Sequence, residues 1–101
     1  MEPKVVEFEG KKVIIKPAPA TVGYDVAMRY REAMGDSTHP ANAKELQNCL
    51  YELLKYAELD LGDGRTVKLD NKALIDQHFQ QPATLLGLQK ETIAVNFGFL
   101  A

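Results

Sequence analysis

Tryptophan is absent from this chain, cysteine occurs once, and no apolar run approaches the ~20 residues that a bilayer-spanning helix requires. The single Cys49 excludes an internal disulfide. Together with only two histidines, His39 and His78, it also fails every zinc spacing. A charge excess is missing as well: 12 basic against 14 acidic side chains give a net charge of −2, and neither sign forms a long run. That disfavours nucleic acid as a partner, because neutralising a phosphate backbone needs a concentrated Lys/Arg patch. The opening Met1-Glu2-Pro3-Lys4 has no apolar signal region, so the expectation is a soluble protein of the cytoplasm with no membrane partner. Internal repeats are missing, and the one low-complexity stretch is Pro17 to Ala20.

What is there is an ordinary globular composition, 46% hydrophobic and 26% charged over 101 residues. It predicts one domain, residues 1–101, large enough for a single core. The clearest element runs from Ala43 to Ala57. Ala43, Leu46, Cys49, Leu50, Leu53, Leu54 and Ala57 recur at three- and four-residue steps within an arc of roughly 140°, opposite Lys44, Asn48, Glu52 and Lys55. This is a core-facing helix, on whose dry side Cys49 behaves as a small hydrophobe.

Around it the chain reads as α+β, with about four helices and two short β-hairpins. Strands over Lys4–Phe8 and Lys12–Lys16 join across Glu9-Gly10-Lys11, with Gly10 free to take the positive φ of a tight turn. Pro17 and Pro19 end the second strand, and Thr21 is the expected cap of a helix carrying Val22, Val26, Tyr30, Ala33 and Met34 up to Gly35. Two starts compete for the central helix: Thr38 as cap with Pro40 in the first turn, or Asn42 as cap with Glu45 three residues on. The helix is expected to end near Tyr56 or Ala57. A second hairpin spans Glu58 to Leu69 with Asp63-Gly64 at its turn. Asp70 then caps a short helix through Phe79, and Pro82 opens a last helix to about Asn96, whose apolar pattern is interrupted by Gly87 and the polar run Gln89 to Thr92.

The residue types that carry chemistry do not converge in this sequence. Asp60, Asp63 and Asp70 suggest calcium, yet a loop counted from Asp60 puts Gly62 and Gly64 where oxygen ligands belong, so turn and cap roles explain the acids better. Gly62-Asp63-Gly64-Arg65-Thr66 lacks the spacing of a phosphate loop and does not open a helix. An enzyme would have to use Cys49 or the histidines, and a cysteine on a core stripe is inert. The residues therefore predict no catalytic site, no cofactor and no metal. The tyrosines Tyr24, Tyr30, Tyr51 and Tyr56 are read as rimming the core. The ending, with Ile93, Phe97, Phe99 and Leu100, is apolar to its last residue. Either it packs on the central helix or it is a partner-binding or self-associating segment, with Phe99 directed outward in a combination of the two.

Residues 6–17, Val-Glu-Phe-Glu-Gly-Lys-Lys-Val-Ile-Ile-Lys-Pro, followed by amphipathic helices and the ending Ile93-Ala94-Val95-Asn96-Phe97-Gly98-Phe99-Leu100, resemble the small tail assembly chaperones of long-tailed phages and prophages. The resemblance implies a mainly helical fold with a little β structure. It also implies a non-enzymatic role in virion morphogenesis within the host cytoplasm, holding the tape measure protein soluble and recruiting the major tail protein. The alternative is a small structural tail or head–tail connector subunit. On the chaperone reading, Ile93, Phe97, Phe99 and Leu100 are the candidate partner-binding residues.

Overall fold

Alternation of Val6 and Phe8 with Val5 and Glu7, and of Val13 and Ile15 with Lys12 and Ile14, gives each of the first two strands one apolar face. β1 (Lys4–Phe8) and β2 (Lys11–Ile15) pair antiparallel from Lys4↔Ile15 to Phe8↔Lys11. The computed structural model describes residues 2–35 and 39–98. The turn is the two residues Glu9 and Gly10, both at positive φ, 51° and 74°, the left-handed pair whose twist matches the hairpin. The sequence anticipated Gly10 in that role; the second left-handed residue is Glu9.

After the hairpin come α1 (Ala20–Met34) and α2 (Pro40–Leu54), then β3 (Glu58–Asp60), β4 (Thr66–Lys68), α3 (Lys72–His78) and α4 (Pro82–Asn96). The two hairpins do not stand apart. β3 pairs antiparallel with β2 through Val13↔Leu59 and Ile14↔Glu58, so a four-stranded antiparallel sheet runs in the order β1-β2-β3-β4, with the α1–α2 pair inserted between its halves. The architecture is α+β.

Helix boundaries depart from expectation for local reasons. Thr21 does not cap α1. Pro19 does, because its extended backbone (φ −53°, ψ 149°) turns its carbonyl onto the Gly23 N–H at 2.8 Å without a side-chain bond. Asn42 does not cap α2, and Thr38 lies outside the described residues. Pro40 forces its predecessor out of helical geometry, so His39 is the cap, with its Nδ1 accepting the Ala41 N–H at 3.2 Å. At the other end, i→i−3 bonds from Tyr56 and Ala57 tighten the backbone after Leu54, and buried Ala57 leads into β3. Asn71, not Asp70, caps α3: its Oδ1 accepts the Leu74 N–H at 2.9 Å.

The core has two lobes that share α2 and α4. One lies on the sheet, where Val13, Ile15 and Leu59 meet Leu54, Leu69, Ile75, Phe79 and Leu88. The other lies between the helices, where Val26, Ala27, Cys49 and Leu53 close on Phe97. Of the predicted dry arc of α2, Cys49, Leu50, Leu53 and Leu54 are buried, Leu46 is half-buried and Ala43 is exposed. Met34, placed on the α1 stripe by its spacing, ends that helix 52% exposed.

Candidate interaction surface

The candidate residues at the end of α4 divide. Ile93 is half-buried against the helical lobe, and Phe97 is 8% exposed, its ring 5.1 Å from that of Tyr30 at a tilt of 52°. The Phe97 N–H closes the helix on the Ile93 carbonyl at 2.8 Å. Phe97 is thus packed in the protein's own interior, as in the packed alternative for the ending. Apolar burial and an aromatic neighbour outweigh exposure here. Phe99 and Leu100 lie outside the described residues.

What holds that last turn is polar. Asn96 is 3% exposed; its Oδ1 accepts the Ala18 N–H at 2.8 Å, while its Nδ2 donates to the Thr92 carbonyl at 2.9 Å and to Thr92 Oγ1 at 3.2 Å. Thr84, Gln89 and Thr92 are buried on the same helix, and Gln89 Nε2 donates to Gln47 Oε1 of α2 at 3.1 Å. Of the polar run that interrupts α4 in sequence, Gln89 and Thr92 face the interior of the fold, Glu91 is half-buried and Lys90 is exposed.

The groups that could carry chemistry serve the scaffold. Arg29 of α1 donates from Nε and Nη2 to Glu45 Oε1 at 2.9 and 2.7 Å, from Nη2 to Glu52 Oε2 at 2.6 Å, and from Nη1 to Asp25 Oδ2 at 3.3 Å. These bonds raise the Arg29 pKa above its usual value and hold the Glu45 carboxyl below its own. The node rivets α1 to α2 from the partly exposed side. Cys49 sits beneath it, its Sγ donating to Glu45 Oε1 at 3.5 Å, and burial pushes the thiol up to about 11, so it stays protonated and unreactive at neutral pH. His39 is a cap and His78 is the last residue of α3. Asp60 and Asp63 accept the N–H groups of Gly62 and Arg65 at 2.8 and 3.1 Å, as turn-forming acids do. Among the described residues no three His, Cys, Asp or Glu side chains converge as a metal site.

The β1–β2 turn clamps the α3–α4 joint with two opposite charges. The Glu9 carboxylate accepts the N–H groups of Gln80, at 3.0 and 3.2 Å, and of Gln81, at 3.3 Å, at the start of α4. Lys11 donates its ammonium to the His78 carbonyl at the end of α3. Each charge stands at the helix end whose dipole favours it. The N–H groups of Gln80 and Gln81, with the Thr84 hydroxyl, hold the Glu9 carboxyl below its ordinary value. A depressed carboxylate stabilises the fold above the unfolded-state pKa, and that contribution is lost as pH falls through the folded one. The expected result is that Glu9→Gln melts below the parent at pH 7, with the difference closing in acid as the Glu9 carboxyl takes up its proton. Parallel thermal melts across that range check it, and a gap independent of pH refutes the clamp.

Large apolar side chains outside the candidate partner-binding set are exposed: Tyr24, read as rimming the core, at 61% on α1, Met34 at its end, Leu86 at 53% on α4 and Val5 at 62% on β1. Tyr24 and Leu86 are off the buried stripe of their helices, a signal readable from helical phase once the boundaries are known. A shallow cleft of about 190 Å³ lies between α2 and α3, floored by Leu69 and Ile75 and edged by Tyr51, whose ring carries the Lys72 ammonium 4.7 Å from its centre. No helix among the described residues is long and apolar enough to cross a membrane. Comparison of the chain with protein-family models, with curated proteins and with solved structures finds no match to any of them.

Proposed function

We propose that this chain is a non-catalytic protein-binding module, a tail assembly chaperone of a long-tailed phage or prophage that engages the tape measure protein and the major tail protein. The observation that supports the reading is the set of exposed apolar side chains on α1, Tyr24 and Met34, beside a polar inventory whose strongest interactions are internal. A chaperone for a long helical client needs apolar contact that forms and releases, and no reacting group. The α+β architecture and the resemblance of the two chain ends agree with that role.

Co-expression with the tape measure protein of the same phage tests it. The expected result is more soluble client and co-purification, reduced about tenfold, roughly 1.4 kcal/mol, by Tyr24→Lys with Met34→Lys at unchanged melting temperature. No gain in client solubility and no co-purification overturns the reading, and so does stoichiometric retention of the protein in purified particles.

A further inference from the structure

We propose that the outer edge of β1, with Val5 and the neighbouring Leu86, is a two-fold interface between two copies of this chain. The inference does not rest on the choice of client. In a hairpin closed by a two-residue turn the pair flanking the turn exchanges backbone hydrogen bonds and the bonding pairs alternate from there. Phe8↔Lys11, Val6↔Val13 and Lys4↔Ile15 are therefore the bonded pairs, and the N–H and C=O groups of Val5 and Glu7 point away from β2. The same alternation holds at the far side of the sheet, where Leu69 N–H bonds the Ala57 carbonyl and Leu61 N–H the Arg65 carbonyl, flanking Leu59↔Val67. β1 is a terminal strand of the sheet, so nothing in the sheet order covers those four groups.

Edge strands are ordinarily guarded by free charge. Of the two charges of β1, Lys4 has an ion-pair partner within its own chain and Glu7 has only a cross-strand neighbour. Lys4 Nζ lies 2.8 Å from Glu91 Oε2 of α4, and Glu7 stands directly opposite Lys12. The one charge that a second β1 meets without an ion pair is Glu7, flanked by Lys12 of its own chain. The edge is short, bounded by Pro3, which has no N–H, and by the Glu9-Gly10 turn. Antiparallel pairing about Val6 fits it: Val5 and Glu7 of one copy exchange bonds with Glu7 and Val5 of the other, using every outward group on both strands. The two Val6 side chains then face each other on the inner side of an eight-stranded sheet. α4 lies beneath β1, with Phe8 against Gly87 and Lys4 against Glu91, so the exposed Leu86 adjoins the new seam. Five residues at ~3.3 Å per residue make a seam of about 17 Å. Such an interface falls below the ~1,200 Å² of stable complexes, so the dimer is reversible.

Light scattering on the full chain tests it. The mean mass is expected to climb from 11.2 kDa toward twice that value as concentration rises from about 10 μM to about 1 mM. Val5→Pro removes an outward N–H without touching the β1–β2 ladder and is expected to weaken association at least tenfold. Leu86→Lys, on a helix surface, is expected to weaken it with an unchanged melting temperature, so the test survives if the proline variant misfolds. A mass of 11.2 kDa throughout, association that neither variant alters, or a monomer that captures an extended foreign peptide along β1 overturns the proposal.

Discussion

Replacing Asn96 by Leu is expected to destabilise the protein by about 3 kcal/mol, although the side chain keeps nearly the same size and becomes apolar. Asn96 uses both ends of its amide, accepting from Ala18 N–H on the segment between β2 and α1 and donating to Thr92 one turn back. Leu leaves the Ala18 N–H without its partner in a half-buried segment, and an unsatisfied buried donor costs more than a hydrogen bond contributes. The same variant loosens the turn that presents Phe97 to Tyr30, so near-ultraviolet circular dichroism of the tyrosines should weaken with it. Asn96→Asp separates the two bonds. Its carboxylate still accepts from Ala18 but confronts the Thr92 carbonyl with a second acceptor, until protonation restores a donor. Burial and that repulsion raise its folded-state pKa, so its stability is present at low pH and lost as pH rises through that value, the opposite sign to Glu9. Urea unfolding of parent, Leu and Asp variants at pH 4 and pH 7 measures both effects. An Asn96→Leu loss below about 0.5 kcal/mol would show that Asn96 is not the bolt of this joint.

Asn96 also marks where the sequence stops being legible. The helical phase of α2 could be read from Leu46 to Leu54 because the partner of every residue is the same oil-like interior, whatever lies across from it. The β1–β2 turn could be read from Gly10, since the constraint is local. Gln89 and Thr92 read only as part of a polar interruption of α4, and Asn96 as its end, because the groups that bond Asn96 and Gln89 across the fold, Ala18 and Gln47, are far away in the chain. The pairing of β2 with β3 is hidden for the same reason: two helices separate Val13 from Leu59, and nothing local states that their strands meet. Glu9 and Lys11 read as ordinary turn charges until α3 and α4 bring their termini to them. His39 was within reach, since the rule that a residue before proline leaves the helix already favours it over Thr38 and Asn42. At the candidate surface, the apolar character of Ile93 and Phe97 was read correctly. Which way they face depends on Tyr30 and Leu53, and hence on the packing of α1 against α2.

Gly87 gives the second large effect, because it is a glycine kept for space inside a helix. Such a residue costs about 1 kcal/mol relative to alanine, so in an open helix Gly87→Ala would stabilise by that amount. A Cβ built at Gly87 would stand 2.4 Å from Cε1 and 2.8 Å from Cζ of Phe8, closer than side-chain atoms approach. Phe8 belongs to the sheet-side lobe, so its ring must tilt away from contacts it now makes, and overpacking of this kind costs about 1–3 kcal/mol. Gly87→Ala is therefore expected to destabilise by about 1 kcal/mol net, and Gly87→Val, bulkier and β-branched, by about 3 kcal/mol. The cause is isolated by removing the ring tip. On a Phe8→Leu background, itself destabilised by about 1 kcal/mol, Gly87→Ala should turn stabilising, giving a coupling of about 1–2 kcal/mol in the double-mutant cycle. If alanine at position 87 stabilises equally with Phe8 and with Leu at position 8, the close approach does not constrain the helix. A sign reversal between the two backgrounds would tie the seating of α4 under β1 to this single missing methyl group.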